Sequence, residues 1–507
     1  MFNFKPLFKM KLLKKYMLCS LVSVTGFLTT GCELNFESPN EYQTDEVTNN
    51  NFFAVGMYQA YQKVPANEYL ITELRSDNML SKSGDGDLGL IESYNIEADF
   101  GEGANYWANN YSVILNANLI IDQEDDISSD SEQQQYLAEA YFMRALCHFN
   151  LVRAFQNVPY IYTTIQSTDD LKLFPQIEEQ QMYNYIINDF NTSITYFEAI
   201  GDDGSNKNKA NLGAAYGLLA KVYMQQPTPD YGAAEALIAA NLLPDDTTTN
   251  TNSTFGYTLL EDFSEIFQGN ELNDEILFAI SYLGEGGDQA ITADIDFNSQ
   301  VQVDAQEWSF QMSENGRARG MVYSQDFLDL MIDNTDEPIR GSITGDDSSS
   351  VYTFVTSESQ YYDAKFRDGS DDTSEVDFIV LRYADVLLLY TEAIMAGATS
   401  TTDSDAIEAF NLVRARAGAT ELATDGSETL TSDDLLEERR KELSFENHRL
   451  YDILRFGKKS LLVDFASSLG YTFTELTDEY LPIPQREIDL LGSDEDGNNY
   501  YTQNNGY

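Results

Sequence analysis

The stretch SEQQQYLAEAYFMRALCHFNLVRAF, residues 131–155, indicates the fold class of this 507-residue chain. Its apolar side chains recur at Leu137, Tyr141 and Ala145, a spacing that places them on one face of a helix. The run stops shortly before Pro159, because proline cannot continue a helix. The pattern therefore predicts a long helix with one apolar face.

Two further parts of the chain each predict a helix, a short break and an alanine-rich second helix. They are ANLGAAYGLLAKVYMQQ with YGAAEALIAANLL, within residues 210–243, and LRYADVLLLYTEAIMAG with DAIEAFNLVRARAG, within residues 381–418. Small residues such as Ala220 and Ala393 let neighbouring helices approach closely. Such pairs resemble tetratricopeptide repeats, which run at about 34 residues each. We predict a mostly α-helical scaffold of tetratricopeptide-like helix pairs.

The composition changes between the two pairs, over about residues 243–376. Asp, Thr, Ser and Gly dominate segments such as DDTTTNTNST and TGDDSSS, and only short apolar pieces such as EILFAISY and VYTFVTS interrupt them. This composition predicts a loop-rich insert with a few short strands that packs on the helical scaffold. Binding residues are often found on loops of this kind.

The first residues predict export and a lipid anchor. From Met10 the chain reads MKLLKKYMLCSLVSVTGFLTTGC, a basic start followed by an apolar stretch that is too short to span a membrane. We expect residues 1–31 to be a signal peptide and Cys32 to be acylated, with residues 32–507 as the mature protein. The acidic Glu33 resembles a signal for export to the cell surface. Ordinary signal cleavage near an unmodified cysteine is the alternative.

The balance of charge excludes two classes of partner. The chain has 84 acidic residues against 30 basic ones, for a formal net charge of −54. A field of this sign repels nucleic acid and anionic lipid headgroups. We therefore expect neither of them as a ligand.

Cysteine and histidine counts narrow the chemistry. Cys19 and Cys32 belong to the leader and its end, which leaves Cys147, in the apolar stretch ALCHF, as a predicted buried free thiol. With His148 and His448 as the only histidines, a histidine-rich zinc site is excluded. We expect no cofactor and no metal.

One charged segment could be mistaken for an active site. In ERRKELSFENHRLYDILRFG, residues 438–457, Glu442 and Glu446 are four positions apart. A glycoside hydrolase needs two carboxylates about 5–10 Å apart across a cleft, whereas carboxylates on one helical stripe pair with neighbouring bases. We predict structural ion pairs here, and likewise for Arg382 and Asp385 at a helix start.

Two short acidic stretches raise the question of calcium. They are DGDLG, with Asp85 and Asp87, and SDEDGNN, with Asp494 and Asp496. A calcium loop needs oxygen ligands at fixed spacings and a closing glutamate. Neither stretch has that full pattern, so we predict solvated acidic turns.

Seven segments, in their order along the chain, resemble the SusD/RagB family of outer-membrane nutrient-binding lipoproteins. They are ELRSDN, WANNYSVILNANLII, EAYFMRALCHFNLVRAFQNVPY, LRYADVLLLYTEA, FNLVRARAG, ERRKELSFENHRLYDILRFGK, and the closing YLPIPQREID with TQNNGY. The resemblance runs over essentially the whole mature chain. It implies a tetratricopeptide-like fold that lies as a lid over a SusC-type TonB-dependent transporter and captures oligosaccharides without catalysis. Peptide cargo, a glycoside hydrolase and a purely structural scaffold are the alternatives.

The resemblance also implies a glycan site, built by ELRSDN and by the later stretch VDAQEWSFQMSENGRARG, residues 303–320. An indole there can stack on a pyranose ring, while carboxylate, amide and guanidinium groups bond to the hydroxyls. The candidate residues are Trp308, Glu307, Asp77, Asn78, Arg317 and Arg319. Trp308 as part of a loop core, and Asp77 and Asn78 as a helix-terminus cap, are the structural alternatives. The second tryptophan, Trp107, lies on a helical stripe and is expected to be structural.

Overall fold

A row of helices, each packed against the next, forms the scaffold in the computed structural model of the protein. The structure describes residues 50–81, 86–245, 250–267, 272–281, 321–331, 340, 377–474 and 478–507. The described residues belong to one unit that begins at residue 49. Residues 1–49, with Cys32 and Glu33, lie outside the described residues.

The helices found in the described ranges are short to medium in length, and three of them exceed 20 residues. In chain order they are α1 (Asn50–Tyr61), α2 (Val64–Glu73), α3 (Gly86–Glu92), α4 (Gly101–Ile121), α5 (Glu124–Ile127), α6 (Ser131–Phe155), α7 (Thr168–Leu171), α8 (Glu179–Ile200), α9 (Leu212–Gln225), α10 (Tyr231–Asn241), α11 (Gln325–Met331), α12 (Tyr383–Met395), α13 (Ser404–Arg416), α14 (Ser432–Glu442), α15 (Arg449–Arg455), α16 (Ser460–Ser468) and α17 (Gln485–Leu491).

The scaffold follows the order of the chain. Helix α1 packs on α4, α4 on α6, α6 on α8, α8 on α9, α9 on α10, α10 on α12, and α12 on α13. Helices that contact mainly their neighbours in the row are typical of repeat proteins. The prediction of a mostly α-helical, tetratricopeptide-like fold is confirmed.

The central helix α6 has the bounds that its sequence predicts. It begins after Asp130, whose carboxylate accepts hydrogen bonds from the backbone N–H groups of Glu132 and Gln133. It ends at Phe155, four residues before Pro159. The prediction of a single buried face is wrong, because α4 and α8 cover opposite sides and almost every residue from 137 to 155 is buried. Cys147 is a buried free thiol, as predicted.

Both predicted helix pairs are present. The first is α9 with α10 and the second is α12 with α13. Asn211, Asp230 and Asp403 cap the starts of α9, α10 and α13 with side-chain oxygens. These caps fix where the chain turns from one helix to the next.

The strands in the described ranges form two-stranded antiparallel sheets. They are β1 (Met79–Ser81) with β3 (Met321–Tyr323), β2 (Ile276–Ile280) with β4 (Phe378–Arg382), and β5 (Ser400–Thr401) with β6 (Leu430–Thr431). Strand β2 is the strand predicted from EILFAISY. The second predicted strand, VYTFVTS, and most of the insert at 243–376 lie outside the described residues.

Strand β4 joins the insert to the scaffold. It pairs with β2 of the insert and continues without a break into α12, with Arg382 as the residue before the first helical turn. Within the described ranges, no helix is both long and apolar enough to cross a membrane.

Packing at the start of α9 leaves no room for a side chain on Gly213. A Cβ atom there would lie 2.2 Å from the hydroxyl oxygen of Tyr257, whose ring is fully buried and stacks on Phe255. We expect Gly213→Ala to lower the free energy of unfolding by about 1–3 kcal/mol, because the rigid tyrosine ring must move.

Gly232 provides a matched control, since it is the second residue of α10 as Gly213 is of α9. A Cβ on Gly232 meets nothing closer than 3.8 Å, so Gly232→Ala should leave stability unchanged or raise it slightly. Denaturant unfolding measures both variants, and equal stability of the two would contradict the packing argument.

Candidate functional site

The two segments predicted to build the glycan site adjoin, along the chain, the two strands of one sheet, β1 and β3. ELRSDN runs from the end of α2 to the start of β1, and residues 303–320 lead directly into β3. The antiparallel register pairs Met79 with Tyr323 and Ser81 with Met321. The first residue of β3 therefore lies beside Ser81, the end of β1 that is farther from ELRSDN. Trp308, Glu307, Arg317 and Arg319 themselves lie outside the described residues.

Asp77 is a buried ion-pair partner rather than an exposed acceptor. Its two carboxylate oxygens lie 2.7 and 2.6 Å from Nε and Nη2 of Arg449, and Arg440 adds a contact at 3.4 Å. Burial alone would raise the pKa of Asp77, but the guanidiniums of Arg449 and Arg440 lower it to about 2. The prediction that Asp77 contacts sugar hydroxyls is corrected by this placement, because both oxygens are already bonded inside the protein.

The prediction that Asn78 contacts sugar hydroxyls is corrected in the same way, because its side chain is also bonded inside the protein. Its side chain is fully buried, donates to Glu73 at 3.1 Å and accepts from Nε of Arg440 at 3.0 Å. The backbone carbonyls of Asp77 and Asn78 accept hydrogen bonds from Ser324, at 2.6 and 2.9 Å. The pair is not a helix cap. It fixes the start of β1 against the chain that leaves β3.

Arg440 completes this junction. Its guanidinium reaches Asp77, Asn78 and, at 2.7 Å, the carboxylate of Asp326 in α11. The chain on the downstream side of residues 303–320 is thereby held by α14. In the described chain, ELRSDN holds the start of β1 against the residues that follow β3.

The charged segment 438–457 forms ion pairs, as predicted, but with partners from distant parts of the chain. Arg382 is buried and donates to Glu446 at 2.8 and 2.9 Å, to Glu442 at 2.5 Å and to Glu275 at 2.9 Å. The expected single helical stripe is wrong, since α14 ends at Glu442 and α15 begins at Arg449. Glu446 lies in the turn between them.

A second group of charges packs on the other side of the same segment. Asp385 lies 3.0 Å from Nζ of Lys221 and 2.8 Å from Nη1 of Arg439. Arg439 also reaches Asp452 at 2.9 Å, and Asp452 pairs with Arg455. Arg382 and Asp385 thus join elements, as predicted, through separate partners.

The carboxylates and the histidine of the segment 438–457 are unsuited to glycoside hydrolysis. Burial alone would raise the pKa of Glu442, but Arg416, Arg382 and Arg340 lower it to about 2, whereas a general acid needs a raised pKa. Burial and the nearby Lys221 lower the pKa of His448 to about 3, and its Nδ1 lies 2.9 Å from that lysine. The fixed hydrogen bond predicted for His448 is present.

His148 is equally inaccessible. It is fully buried in α6, and Nδ1 lies 2.9 Å from the carbonyl oxygen of Arg144. Burial and the charge of Arg144 lower its pKa to about 3, so the ring is neutral at physiological pH. Neither histidine is placed to act as an exposed base.

The acidic turn near the C-terminus closes on itself. Asp494 is exposed and accepts hydrogen bonds from the backbone N–H groups of Asp496 and Asn498, at 2.9 and 2.8 Å. In the first stretch, Asp87 lies in the short helix α3, and Asp85 falls outside the described residues. Across the described ranges, no three His, Cys, Asp or Glu side chains are grouped to hold a metal ion.

A small polar cavity lies inside the scaffold, between α2, α6, α9 and the turn before α15. Its volume is about 30 Å³, and its lining includes Glu68, Arg153, Lys221, Asn447 and His448. This is room for a water molecule or two between buried polar groups. It is far too small for a sugar ring.

Trp107 is structural, as predicted. It is 3% exposed and its ring centroid lies 5.0 Å from that of Tyr111 and 5.1 Å from that of Phe155. These contacts join α4 to the end of α6. Trp308, the other tryptophan of the chain, lies outside the described residues.

Two family models match the chain. The model described as the SusD family matches residues 334–507, and the model described as starch-binding and associating with the outer membrane matches residues 34–224. A SusD-like protein of Bacteroides ovatus is 28% identical over 380 residues, which cover 69% of this chain. The match spans 64% of that relative, slightly less than two thirds of its length.

Solved structures share the fold over most of the chain. A laminarin-binding SusD-like protein is 22% identical and gives a TM-score of 0.65 over 90% of this chain and 99% of that one. Surface glycan-binding protein A of Bacteroides thetaiotaomicron, in complex with laminarihexaose, is 20% identical with the same TM-score and coverage. At these identities the likeness establishes the fold, while function must be argued from the site.

The buried pair of Asp77 with Arg449 makes a prediction about pH. The pKa of Asp77 in the folded protein is below its ordinary value, so the pair stabilises the fold at neutral pH and loses that contribution as pH falls from about 4 towards 2. We expect the pair to contribute about 2 kcal/mol of pH-dependent stability.

The measurement compares wild type with Asp77→Asn by denaturant unfolding at pH 7, 5, 4 and 3. Because Asn keeps the shape and loses the charge, the wild type should be the more stable at pH 7, with the difference narrowing below pH 4. A difference that stays constant across this range would show that the carboxylate charge is not what stabilises the junction.

Proposed function

Because the chain belongs to the SusD/RagB family, we propose that it binds an oligo- or polysaccharide at the outer surface of the outer membrane. It is anchored there through lipid on Cys32 and delivers the glycan to a SusC-type TonB-dependent transporter. The observation that carries the proposal is the match of two models of this family to both ends of the chain. A solved relative of the same fold holds laminarihexaose, which supports a carbohydrate as the ligand.

The protein acts by binding, without catalysis. Both histidines are buried and neutral, and the carboxylates of the segment 438–457 are committed to arginines. With a net charge of −54, a neutral glycan meets less repulsion than an anionic one. We assign the contacts to Trp308, Glu307 and Arg319, in the segment that precedes β3 along the chain.

Trp308→Ala tests the site. Loss of an aromatic stack is worth about 1–3 kcal/mol by analogy with base stacking, or roughly 5- to 150-fold in affinity. Affinity electrophoresis in gels containing laminarin, xyloglucan or starch should show retention of wild type and loss of retention for the variant. The thermal midpoint should stay within a few degrees of wild type.

Trp107→Ala is the matched control, since it removes the other indole from the buried core. We expect this variant to lose about 3–5 kcal/mol of stability. If Trp308→Ala instead unfolds as easily as Trp107→Ala, then Trp308 is a core residue. If it keeps both stability and retention, the proposed site is wrong.

Cys32→Ala tests the anchor. Without the acylated thiol, the protein should move from the membrane fraction to the soluble fraction in the native host, as followed by immunoblot. Cys19→Ala, within the leader, is the control and should leave the protein in the membrane fraction. Unchanged membrane fractionation of Cys32→Ala would refute the lipid anchor.

A further inference from the structure

Helix α8 carries an uncharged exposed face in a strongly acidic protein. Between Glu179 and Glu198 the sequence contains one charged residue, Asp189, and that residue is buried. The exposed positions of this stretch are carboxamides, a hydroxyl and a tyrosine. They are Gln181, Asn184, Tyr185, Asn188, Asn191 and Thr195. Carboxamides and hydroxyls can both donate and accept hydrogen bonds, so they can bind a ligand that carries no charge.

Aromatic rings continue this face onto the chain between α6 and α8. Tyr185 stacks on Tyr160 with ring centroids 4.3 Å apart and an interplanar angle of 1°. Tyr162 lies on the other side, 5.9 Å from Tyr160 and 5.3 Å from Phe174. Tyr162 is 56% exposed and Tyr185 is 37% exposed although Tyr160 covers one of its faces. The stack is open at its outer end.

Buried charged groups hold the ring of Tyr160 and the backbone of Tyr162. The hydroxyl of Tyr160 donates to Asp189 at 3.0 Å, and Arg144 binds both oxygens of Asp189 at 2.7 and 2.8 Å. The same guanidinium donates to the backbone carbonyl of Tyr162 at 3.0 Å. One buried ion pair therefore fixes the side chain of Tyr160 and the backbone at Tyr162, which reduces the ordering that ligand binding requires.

A hydrogen-bonding rim adjoins the rings. The carboxamide of Gln181 donates to the hydroxyl of Tyr185 at 3.3 Å. Asn188 follows Tyr185 by three positions, which places the two on one face of the helix. Flat rings beside amides and hydroxyls match a pyranose, which has C–H faces and hydroxyl edges.

We propose that Tyr185 and Tyr162, with the uncharged face of α8, form a second glycan-binding surface that takes a neutral polysaccharide. The proposal rests on the proposed carbohydrate-binding function and adds a site that is separate in sequence from Trp308. Two sites on one polymer raise the effective affinity through multivalency. The second surface therefore matters more for long chains than for short ones.

The test is affinity electrophoresis in laminarin, xyloglucan and starch gels, with the double variant Tyr162→Ala/Tyr185→Ala. We expect its apparent affinity for the retaining polysaccharide to fall by about tenfold or more. The double variant Tyr162→Phe/Tyr185→Phe keeps the rings and should be retained like wild type. Phe52→Ala removes another exposed aromatic, 59% exposed on α1, and should also be retained like wild type.

A footprint on the folded wild-type protein checks the contact directly. Tetranitromethane nitrates exposed tyrosines, and peptide mass spectrometry locates the product. The retaining polysaccharide should protect Tyr162 and Tyr185 from nitration, while Tyr507, which is 36% exposed, reacts as before. Equal nitration with and without polysaccharide would overturn the proposal.

The outcomes separate this inference from the proposed function. If wild type is retained and the alanine double variant is retained equally, the second surface is wrong and glycan binding stands. If wild type is retained by none of the three gels, both proposals fail. If the alanine variant keeps its glycan retention but loses a co-purifying protein, the face of α8 is a protein interface, which also overturns the proposal.

Discussion

The buried guanidinium of Arg382 is the interaction on which the arrangement of the fold depends. It pairs with Glu442 at the end of α14, with Glu446 in the turn that follows, and with Glu275, the residue before strand β2 of the insert. A buried charge is strongly unfavourable unless its partners are all in place. The three separate pieces of chain must therefore assemble in one register around this residue. The constraint favours one unique arrangement more than it adds stability.

The same segment that neutralises Arg382 also joins the chain before β1 to the chain after β3. From α14 and the start of α15, Arg440 and Arg449 reach Asp77, and Arg440 continues to Asp326 beyond β3. Binding residues need a rigid support from the scaffold. In this protein that support is a set of buried ion pairs rather than an apolar core.

Local patterns in the sequence predict the helices well and the long-range contacts poorly. The bounds of α6 follow from apolar spacing, a cap at Asp130 and a proline, all of which act within a few residues. Helical spacing predicts neighbouring bases as the partners of Glu442. Its actual partner Arg382 is 60 residues away in the sequence, and a local rule cannot identify it. The sequence around Asp77 suggests an exposed carboxylate that accepts hydrogen bonds from a ligand. Its actual partner, Arg449, is 372 residues away in the sequence and cannot be identified from local spacing. Tyr185 is one of 32 tyrosines in the chain, and its exposure is known only from the structure.

Many of the basic side chains of the chain are buried in ion pairs. Few cations therefore remain at the surface to bind a ligand. With 30 basic residues against 84 acidic ones, each buried arginine leaves fewer cations at the surface. The deeply buried ones include Arg75, Arg144, Arg340, Arg382, Arg439, Arg440 and Arg449. The remaining exterior is strongly negative, which keeps the protein soluble and repels anionic polymers. A neutral polymer gains nothing from this field, so its binding must come from ring stacking and hydrogen bonds. The uncharged face of α8 supplies both.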